Sequence, residues 1–331
     1  MQDGAIDELL CIPFVQSMPN CALGNVWVTP ADCLGYPTAS ACARMLAFVN
    51  APPSPVMLSN SSSQRPFPWA YRQYSMMVDL LPALNTPAIN AAMANYPVLP
   101  FPIMGSSVPS SSGHASKLRH TMRRHADDAG TGYVFLCTGP LTDLAWLLSQ
   151  TPDLKDQISS IVWMGGSILG VSNAVGGNID TGIAPGANPN AEWNAYWDPA
   201  AVETVWASGI PFYLFPLNVT NSVFLTPAVL NQYLLPAAQT SNTVNLAAQM
   251  YAMVAFEGGY SFWDTVTAAY LGNPGLFTFA TQNLAIVTDE SSPNLGNITV
   301  ASSGGYSINV AQTVNVNAFY EYLVQQLSSL G

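Results

Sequence analysis

Three carboxylates stand within six residues at the start of the chain. Asp3, Asp7 and Glu8 surround Gly4, which permits a tight turn, and an apolar helical pattern follows them. This arrangement predicts a corner between a strand and a helix, the edge at which open α/β sheets bind ligands. Clustered carboxylates repel one another, and a hard cation such as Ca²⁺ or Mg²⁺ relieves that repulsion. The alternative is that Asp3 caps the helix while Asp7 and Glu8 favour its first turn.

Two later groups carry the same residue types. Asp264 follows Trp263 and stands just before another helical pattern. Glu192 and Asn194 bracket Trp193 ahead of a further predicted helix. The alternative for each group is that its polar residues cap a helix and its aromatic residue packs in the core. A common site requires the fold to bring both groups to the chain's opening residues.

Apolar β-rich runs alternate with helical patterns along the chain, which is typical of βαβ units around a mostly parallel sheet. Strands are predicted at 133–137, 159–164 and 210–217, and helices at 141–150, 198–207, from about 226, at 243–256 and at 316–328. We therefore predict an α/β fold whose mostly parallel central sheet is flanked by helices. No repeat or linker divides the sequence, so residues 1–331 are predicted to form a single domain.

The composition excludes several classes of protein. Hydrophobic residues make up 49% of the 331 residues, enough for a large core, so the chain is expected to fold. The net charge of -11, with no strong basic cluster, argues against a nucleic acid polymer as partner. No apolar run approaches the roughly 18 to 20 residues that a bilayer span needs. We therefore expect no membrane span.

Only 8% of the residues are charged, so uncharged polar side chains must cover the surface. Such a surface suits an extracellular, glycosylated or assembled protein, and we predict a secreted glycoprotein that forms a homo-oligomer or a larger assembly. Glycosylation acceptor patterns occur at Asn60, Asn218 and Asn297. Four of the five cysteines fall in the first 42 residues, where three disulfide pairings and a set of buried thiols remain open alternatives.

Six segments resemble one enzyme family when they are taken in order over nearly the whole chain. They are Asp3-Gly4-Ala5-Ile6-Asp7-Glu8, the run from Val28 to Cys33, the run from Thr138 to Ala145, Met164-Gly165-Gly166, Glu192-Trp193-Asn194 with Asp198-Pro199, and Trp263-Asp264. Together they are similar to the motifs of nucleoside hydrolases, calcium-dependent enzymes that split the N-glycosidic bond of ribonucleosides. The run from Thr138 resembles the family's TGPLTNLA segment. In that family a strand precedes the first aspartate, so we expect this strand to be missing or truncated here.

The resemblance implies a Ca²⁺ site formed by Asp3, Glu8, the backbone carbonyl of Thr138 and Asp264. Asp3 would also take the proton from the attacking water. Glu8 stands where the family has a second aspartate and is longer by one methylene, which calcium tolerates because it accepts variable ligand reach.

The resemblance also implies a set of ribose-binding side chains. They are Asp7, Asn178, Glu192 and Asn194, with Asn173 and Asn188 as alternatives to Asn178. Their role would be to orient the sugar and to stabilise an oxocarbenium-like transition state.

The base-binding residues decide the implied substrate. Inosine-uridine enzymes of the family place a histidine directly before the last aspartate, whereas this sequence has Trp263. Purine-preferring members stack the base between aromatic rings, so Trp263 is expected to be one ring and Tyr71 or Trp69 the other, with Tyr71 favoured. Asp32 would lie near the base.

The sequence therefore predicts a calcium-dependent hydrolase of ribonucleosides that prefers purines and releases base and ribose. The alternative is an extracellular structural or assembly subunit that kept the hydrolase fold while its activity weakened, since a fold does not guarantee a function. The ranking of nucleosides and the number of subunits do not follow from the sequence.

Overall fold

A computed structural model describes residues 1–63, 65, 67–68, 72–101, 132–256 and 258–330. Ten strands occur in these ranges. They are β1 (Val26–Val28), β2 (Val56–Ser59), β3 (Val98–Phe101), β4 (Tyr133–Cys137), β5 (Ile158–Met164), β6 (Ile168–Leu169), β7 (Phe212–Phe215), β8 (Phe277–Ile286), β9 (Ile298–Val300) and β10 (Tyr306–Val314).

The strands form two sheets. The first has the order β1-β2-β3 and is parallel throughout. The second has the order β4-β5-β7-β10-β8-β9-β6, in which β8 runs antiparallel to both of its neighbours and the other pairs are parallel. Most side chains of β5 and β7 are buried, as expected for strands covered on both faces.

The opening residues lie between the two sheets. The backbone N–H of Gln2 donates to the Trp27 carbonyl at 2.9 Å, and that of Thr29 donates to the Gln2 carbonyl at 2.9 Å. On the other side, the Thr138 N–H donates to the Met1 carbonyl at 2.9 Å. A parallel bridge between Gln2 and Val28 thus stands where a strand before Asp3 is expected. Asp3 accordingly follows a strand position at the centre of the combined sheets.

Helices connect and cover the strands. They are α1 (Ile6–Ser17), α2 (Gly35–Phe48), α3 (Tyr74–Asp79), α4 (Pro87–Ala92), α5 (Thr142–Gln150), α6 (Trp193–Trp197), α7 (Pro199–Ala207), α8 (Leu217–Thr220), α9 (Pro227–Val229), α10 (Leu235–Ala238), α11 (Asn242–Ala252), α12 (Trp263–Gly272) and α13 (Val316–Ser328), with shorter 3₁₀ turns at Pro82–Leu84, Met93–Asn95, Pro152–Gln157 and Pro274–Leu276 and a π turn at Leu230–Leu234. The α/β fold class predicted from the sequence, with a mostly parallel sheet flanked by helices, is confirmed.

Helix α1 runs through the centre of the core and starts at the site. Every residue of α1 except Gln16 is buried, including Pro13 in its interior. A helix that is apolar on all sides is expected in this position rather than at the surface. Because α1 is enclosed from its first turn, the carboxylates of that turn are buried with it.

The five cysteines are free thiols, and four of them are buried. Of the alternatives that the sequence left open, the structure therefore has thiols and not disulfides. Among the helices of the described residues, none has both the length and the apolar character that crossing a bilayer requires.

Two of the three glycosylation predictions need correction. The side chain of Asn218 accepts from the Ile168 N–H at 2.8 Å and donates to the carbonyls of Ile168 and Asn173, both at 3.0 Å. Asn297 is buried and accepts from Asn188 Nδ2 at 2.7 Å. A glycan on Asn218 Nδ2 would break its two donated hydrogen bonds, and one on Asn297 would have to enter the core, so of the three patterns only Asn60 has an exposed asparagine.

Candidate active site

The two ends of the chain meet at one cavity of about 290 Å³. It lies where β5 ends and where α1, α6 and α12 begin, which is the edge of the sheet expected to bind ligands. The residues that line it are Asp3, Ala5, Glu8, Asp32, Phe67, Tyr74, Met164, Asn178, Glu192, Trp193, Asn194, Gly258, Gly259, Tyr260, Trp263 and Asp264.

Gly4 makes the turn that places the first carboxylates. Its φ of 102° lies in the region that favours glycine, and an added Cβ would come within 2.3 Å of Thr38 Oγ1. Asp3 lies before this tight turn, directly after the strand position. Glu8 lies after the turn, in the first turn of α1. Both side chains consequently reach the same cavity.

Three carboxylates converge in the cavity. Asp3, Glu8 and Asp264 are 1%, 6% and 4% exposed, and Asp3 Oδ1, Glu8 Oε2 and Asp264 Oδ1 have no hydrogen-bond partner. Burial, followed by the charge of neighbouring carboxylates, raises the pKa of all three groups well above its usual range. Buried carboxylate oxygens that lack partners require a proton or a cation nearby.

The atoms that would coordinate a cation at this site are of the kind that a hard cation prefers. It consists of oxygen only, and three of the oxygens have no other partner. The Thr138–Gly139 turn, which would supply a carbonyl, lies against Asp3, because a Cβ on Gly139 would be 3.0 Å from Asp3 Cγ. Over the described ranges, however, no three His, Cys, Asp or Glu side chains are close enough together, as they stand, to hold a metal ion. The charges of Asp264 and Asp3 add to burial in raising the pKa of Glu8, and a bound ion would offset this repulsion.

Asp7 lies in the core of the structure. Its carboxylate accepts from the backbone N–H groups of Asp264 (2.5 Å) and Thr265 (3.0 Å), from Thr265 Oγ1 (2.8 Å) and from the Tyr251 hydroxyl. Asp7 is fully buried and does not line the cavity. In this structure its oxygens fasten the first turn of α12 to α1, and the contact of Asp7 with ribose stays a prediction.

The other predicted ribose-binding residues line the cavity. Glu192 caps α6, since its carboxylate accepts from the N–H groups of Asn194 (2.8 Å), Ala195 (3.1 Å) and Gly166 (2.7 Å). Burial raises the pKa of Glu192 to about 7 although these hydrogen bonds oppose the shift. Asn194 Nδ2 donates to the Met164 carbonyl at 3.2 Å.

Asn178 is the one of the three candidate asparagines that lines the cavity. Its Oδ1 accepts from the Trp193 N–H at 3.0 Å. Asn188 is buried elsewhere and donates to the Leu295 carbonyl at 2.8 Å. Asn173 is exposed. The position of Asn178 matches the choice made from the sequence.

Trp263 forms one wall of the cavity. Its Nε1 donates to Asn221 Oδ1 at 2.7 Å, and its ring packs edge to face with Tyr260 at 4.8 Å between centroids. Asp32 also lines the cavity, and burial raises its pKa to about 7 although the charge of Arg72 opposes the shift. Tyr71 and Trp69, the predicted opposite rings, lie outside the described residues.

Sequence reasoning missed several residues that line the cavity. Phe67 and Trp193 stack at 4.5 Å between centroids with 29° between their planes, and Tyr74 and Tyr260 also face the cavity. Trp193 stands between two residues that were predicted, so its place could have been inferred. Phe67 belongs to a proline-rich run without periodicity, and no sequence signal distinguished it from Tyr71 or Trp69.

Comparison with known proteins identifies one family. The family model described as inosine-uridine preferring nucleoside hydrolase matches residues 2–321. The non-specific ribonucleoside hydrolase RihC of Escherichia coli O157:H7 is 32% identical over 194 residues, which are 57% of this chain and 59% of the relative. The alignment thus covers less than two thirds of these curated relatives.

Solved structures match over the full length. An inosine-uridine preferring nucleoside hydrolase from Bacillus anthracis has a TM-score of 0.82 and 30% identity, and the match covers 99% of this chain and 97% of that one. A purine-preferring ribonucleoside hydrolase from Gardnerella vaginalis has a TM-score of 0.71 at 21% identity, over 99% and 96% of the two chains, and shows the fold alone. The chain belongs to the nucleoside hydrolase family, whose members are metal-dependent enzymes.

Proposed function

We propose that this chain hydrolyses the N-glycosidic bond of ribonucleosides, depends on Ca²⁺ and prefers purine nucleosides. The observation that carries the proposal is the convergence of Asp3, Glu8 and Asp264 in one cavity, each with a buried oxygen that lacks a partner. These residues come from opposite ends of the sequence, and the indole of Trp263 lies beside them. Together these residues supply carboxylates that can transfer protons, oxygen atoms that can coordinate a hard cation, and a flat aromatic surface on which a base can stack.

Asp3, Glu8, Asp264 and the Thr138 carbonyl would hold the cation. When bound, Ca²⁺ would neutralise the carboxylates and make a nearby water more acidic. Asp3 Oδ1 is free to accept a proton, so Asp3 is the general base that deprotonates the attacking water.

Asn178, Glu192 and Asn194 would orient the sugar. Their side chains line the cavity from two neighbouring segments that the Asn178–Trp193 hydrogen bond joins. Glu192 is the negative group among them, and an oxocarbenium-like transition state develops positive charge on the sugar ring. A fixed sugar places the anomeric carbon in reach of the water at Asp3.

The base side of the cavity supports the proposed purine preference. The residue before Asp264 is Trp263, whose ring would stack on a base; such stacking adds about 0.5 to 1.5 kcal/mol beyond area burial, and a larger flat base offers more surface for it. The hydrogen bond to Asn221 fixes this indole. Because the related proteins carry the descriptions non-specific, inosine-uridine preferring and purine-preferring, the preference of this chain rests on its own cavity.

The test is to measure the release of base from inosine, adenosine and uridine, with and without a calcium chelator. We expect faster release from the two purine nucleosides, loss of activity with chelator and recovery with Ca²⁺. Asp3→Asn should abolish turnover while the protein stays folded. Release of no base from any nucleoside would overturn the proposal and favour a hydrolase-like structural subunit, whereas equal rates for uridine would remove only the purine preference.

A further inference from the structure

We propose that Arg65 is a positioning residue that holds the aromatic and ribose-binding wall of the cavity through backbone carbonyls of α6. The inference rests on the proposed function, because the wall matters only if a nucleoside occupies the cavity. Arg65 does not itself line the cavity. Its side chain is 16% exposed and contacts two other segments of the chain, the end of α6 and the turn that carries Glu290.

Helix α6 needs external support at both ends. It has five residues, far fewer than a helix requires to be stable alone. Glu192 caps its amino end, and the guanidinium of Arg65 serves its carboxyl end. Arg65 Nε donates to the Tyr196 carbonyl at 2.8 Å, and Nη2 donates to the Trp197 carbonyl at 3.3 Å. A cation at this end also complements the helix dipole.

The same contacts fix the segment that carries Phe67. The hydroxyl of Ser63 donates to the Trp197 carbonyl at 2.7 Å and accepts from the Arg65 N–H at 2.9 Å. The guanidinium carbon lies 5.5 Å from the centroid of the Tyr196 ring. Two residues after Arg65, Phe67 stacks on Trp193 at the cavity wall. Arg65 therefore sets the distance between this segment and the face of α6 that carries Glu192 and Asn194.

The ion pair with Glu290 is separable from this role. Arg65 Nη1 lies 2.5 Å from Glu290 Oε2, but the Glu290 side chain is 63% exposed. Exposed ion pairs contribute little because water screens them. Glu290→Gln thus removes the ion pair and leaves the carbonyl contacts, which makes it a control for the charge alone.

The experiment compares four variants in the full chain with purine nucleoside and Ca²⁺. Arg65→Met should raise KM about tenfold, because a displaced aromatic wall weakens nucleoside binding, and should also lower kcat, because Glu192 and Asn194 move with that wall. Arg65→Lys should recover part of the loss, since an ammonium reaches one carbonyl but lacks the planar fork. Glu290→Gln should leave KM within twofold.

Arg44→Met is the matched control for stability. Arg44 also has a largely buried side chain, 18% exposed, that contacts a carboxylate, Asp79, and a carbonyl, that of Leu84. Neither of these partners lines the cavity. Arg44→Met should lower Tm about as much as Arg65→Met does, but its KM should stay within twofold of that of the unmodified chain. An unchanged KM in Arg65→Met, or an equal rise in Arg44→Met or Glu290→Gln, would overturn the proposal.

Hydrogen exchange tests the contact independently of activity. Backbone amides of residues 192–197 should exchange at least tenfold faster in Arg65→Met than in the unmodified chain, with no such change in Glu290→Gln. If the unmodified chain releases no base, the proposed function fails, yet this measurement still decides whether Arg65 holds α6. Unchanged exchange in residues 192–197 would show that it does not.

Discussion

Asp3 and Asp7 stand four residues apart and have different roles in the structure. Asp3 has an oxygen without a partner in the cavity, whereas Asp7 accepts four hydrogen bonds inside the core. Asp7→Asn should therefore lower the free energy of unfolding by about 1 to 3 kcal/mol, because an amide leaves donors of α12 unpaired. Asp3→Asn should change it by less, since it removes a buried acid that repels its neighbours.

Urea unfolding and Ca²⁺ titration of the two variants would separate these roles. We expect Ca²⁺ affinity to fall at least tenfold in Asp3→Asn and to change less than threefold in Asp7→Asn. The opposite ranking in either measurement would contradict the assignment. The sequence could identify both aspartates as chemically important but could not rank them, because that depends on Tyr251 and Thr265, which lie about 250 residues away.

At the scale of elements, the turn between β4 and α5 passes directly behind Asp3. A Cβ on Gly139 would lie 3.0 Å from Asp3 Cγ and 3.1 Å from its Cβ. Gly139→Ala should displace Asp3 and the adjacent Thr138 carbonyl together, so Ca²⁺ affinity should fall about tenfold with a shift of Tm below about 4 °C. Calorimetric titration checks the affinity.

Gly24→Ala is the control for this turn, since no atom lies within 4 Å of the added Cβ. It should leave Ca²⁺ affinity and Tm unchanged. Equal affinities for Gly139→Ala and the unmodified chain would show that the turn does not position Asp3.

The elements also show which patterns a sequence can predict. The strand expected at 133–137 and the helix expected at 316–328 have those bounds, since continuous apolar runs and helical periodicity are local signals. The strand expected at 210–217 covers only Phe212–Phe215 because Pro211 and Pro216 flank it. Strands β8 and β10 were not predicted, since polar residues interrupt their apolar patterns.

At the scale of the whole molecule, the cavity concentrates negative charge in a chain with few cations. Burial is the first cause of a raised pKa in each carboxyl group of the central cluster, which comprises Asp3, Asp7, Glu8, Asp32, Glu192 and Asp264. A cation there would offset the charge that burial penalises. Secretion and assembly into oligomers remain predictions from the uncharged surface and do not bear on this balance.

The raised pKa values predict how stability depends on pH. When the pKa of an acid is higher in the folded than in the unfolded chain, the folded state keeps protons that the unfolded state has released. Stability without Ca²⁺ should therefore fall as pH rises from 5 to 8. The rise in Tm on adding Ca²⁺ should grow over the same range, because the cation binds deprotonated carboxylates. Calorimetry with and without Ca²⁺ measures both trends, and a cation-free Tm that increases with pH would contradict them.

Asp143 makes it possible to separate two contributions to the pH dependence of stability: that of carboxylates outside the cation site and that of the cation site itself. It does not line the cavity, and its carboxylate accepts from Thr29 Oγ1 at 2.6 Å and Ser59 Oγ at 2.8 Å, which joins α5 to the first sheet. Burial raises its pKa from 3.8 to about 6, and this shift alone costs about 3 kcal/mol of stability in total, most of which is lost between pH 4 and pH 7.

Asp143→Asn should fold, because the TGPLTNLA segment that this region resembles has asparagine at that position and the two hydroxyls can rotate to pair with an amide. Its cation-free Tm should fall less steeply between pH 5 and pH 7 than that of the unmodified chain. The increase in Tm caused by Ca²⁺ should be the same in both proteins, since the cation would bind at Asp3, Glu8 and Asp264. Parallel Tm profiles would mean that Asp143 does not titrate in this range, and a smaller effect of Ca²⁺ would mean that the cation site extends to α5.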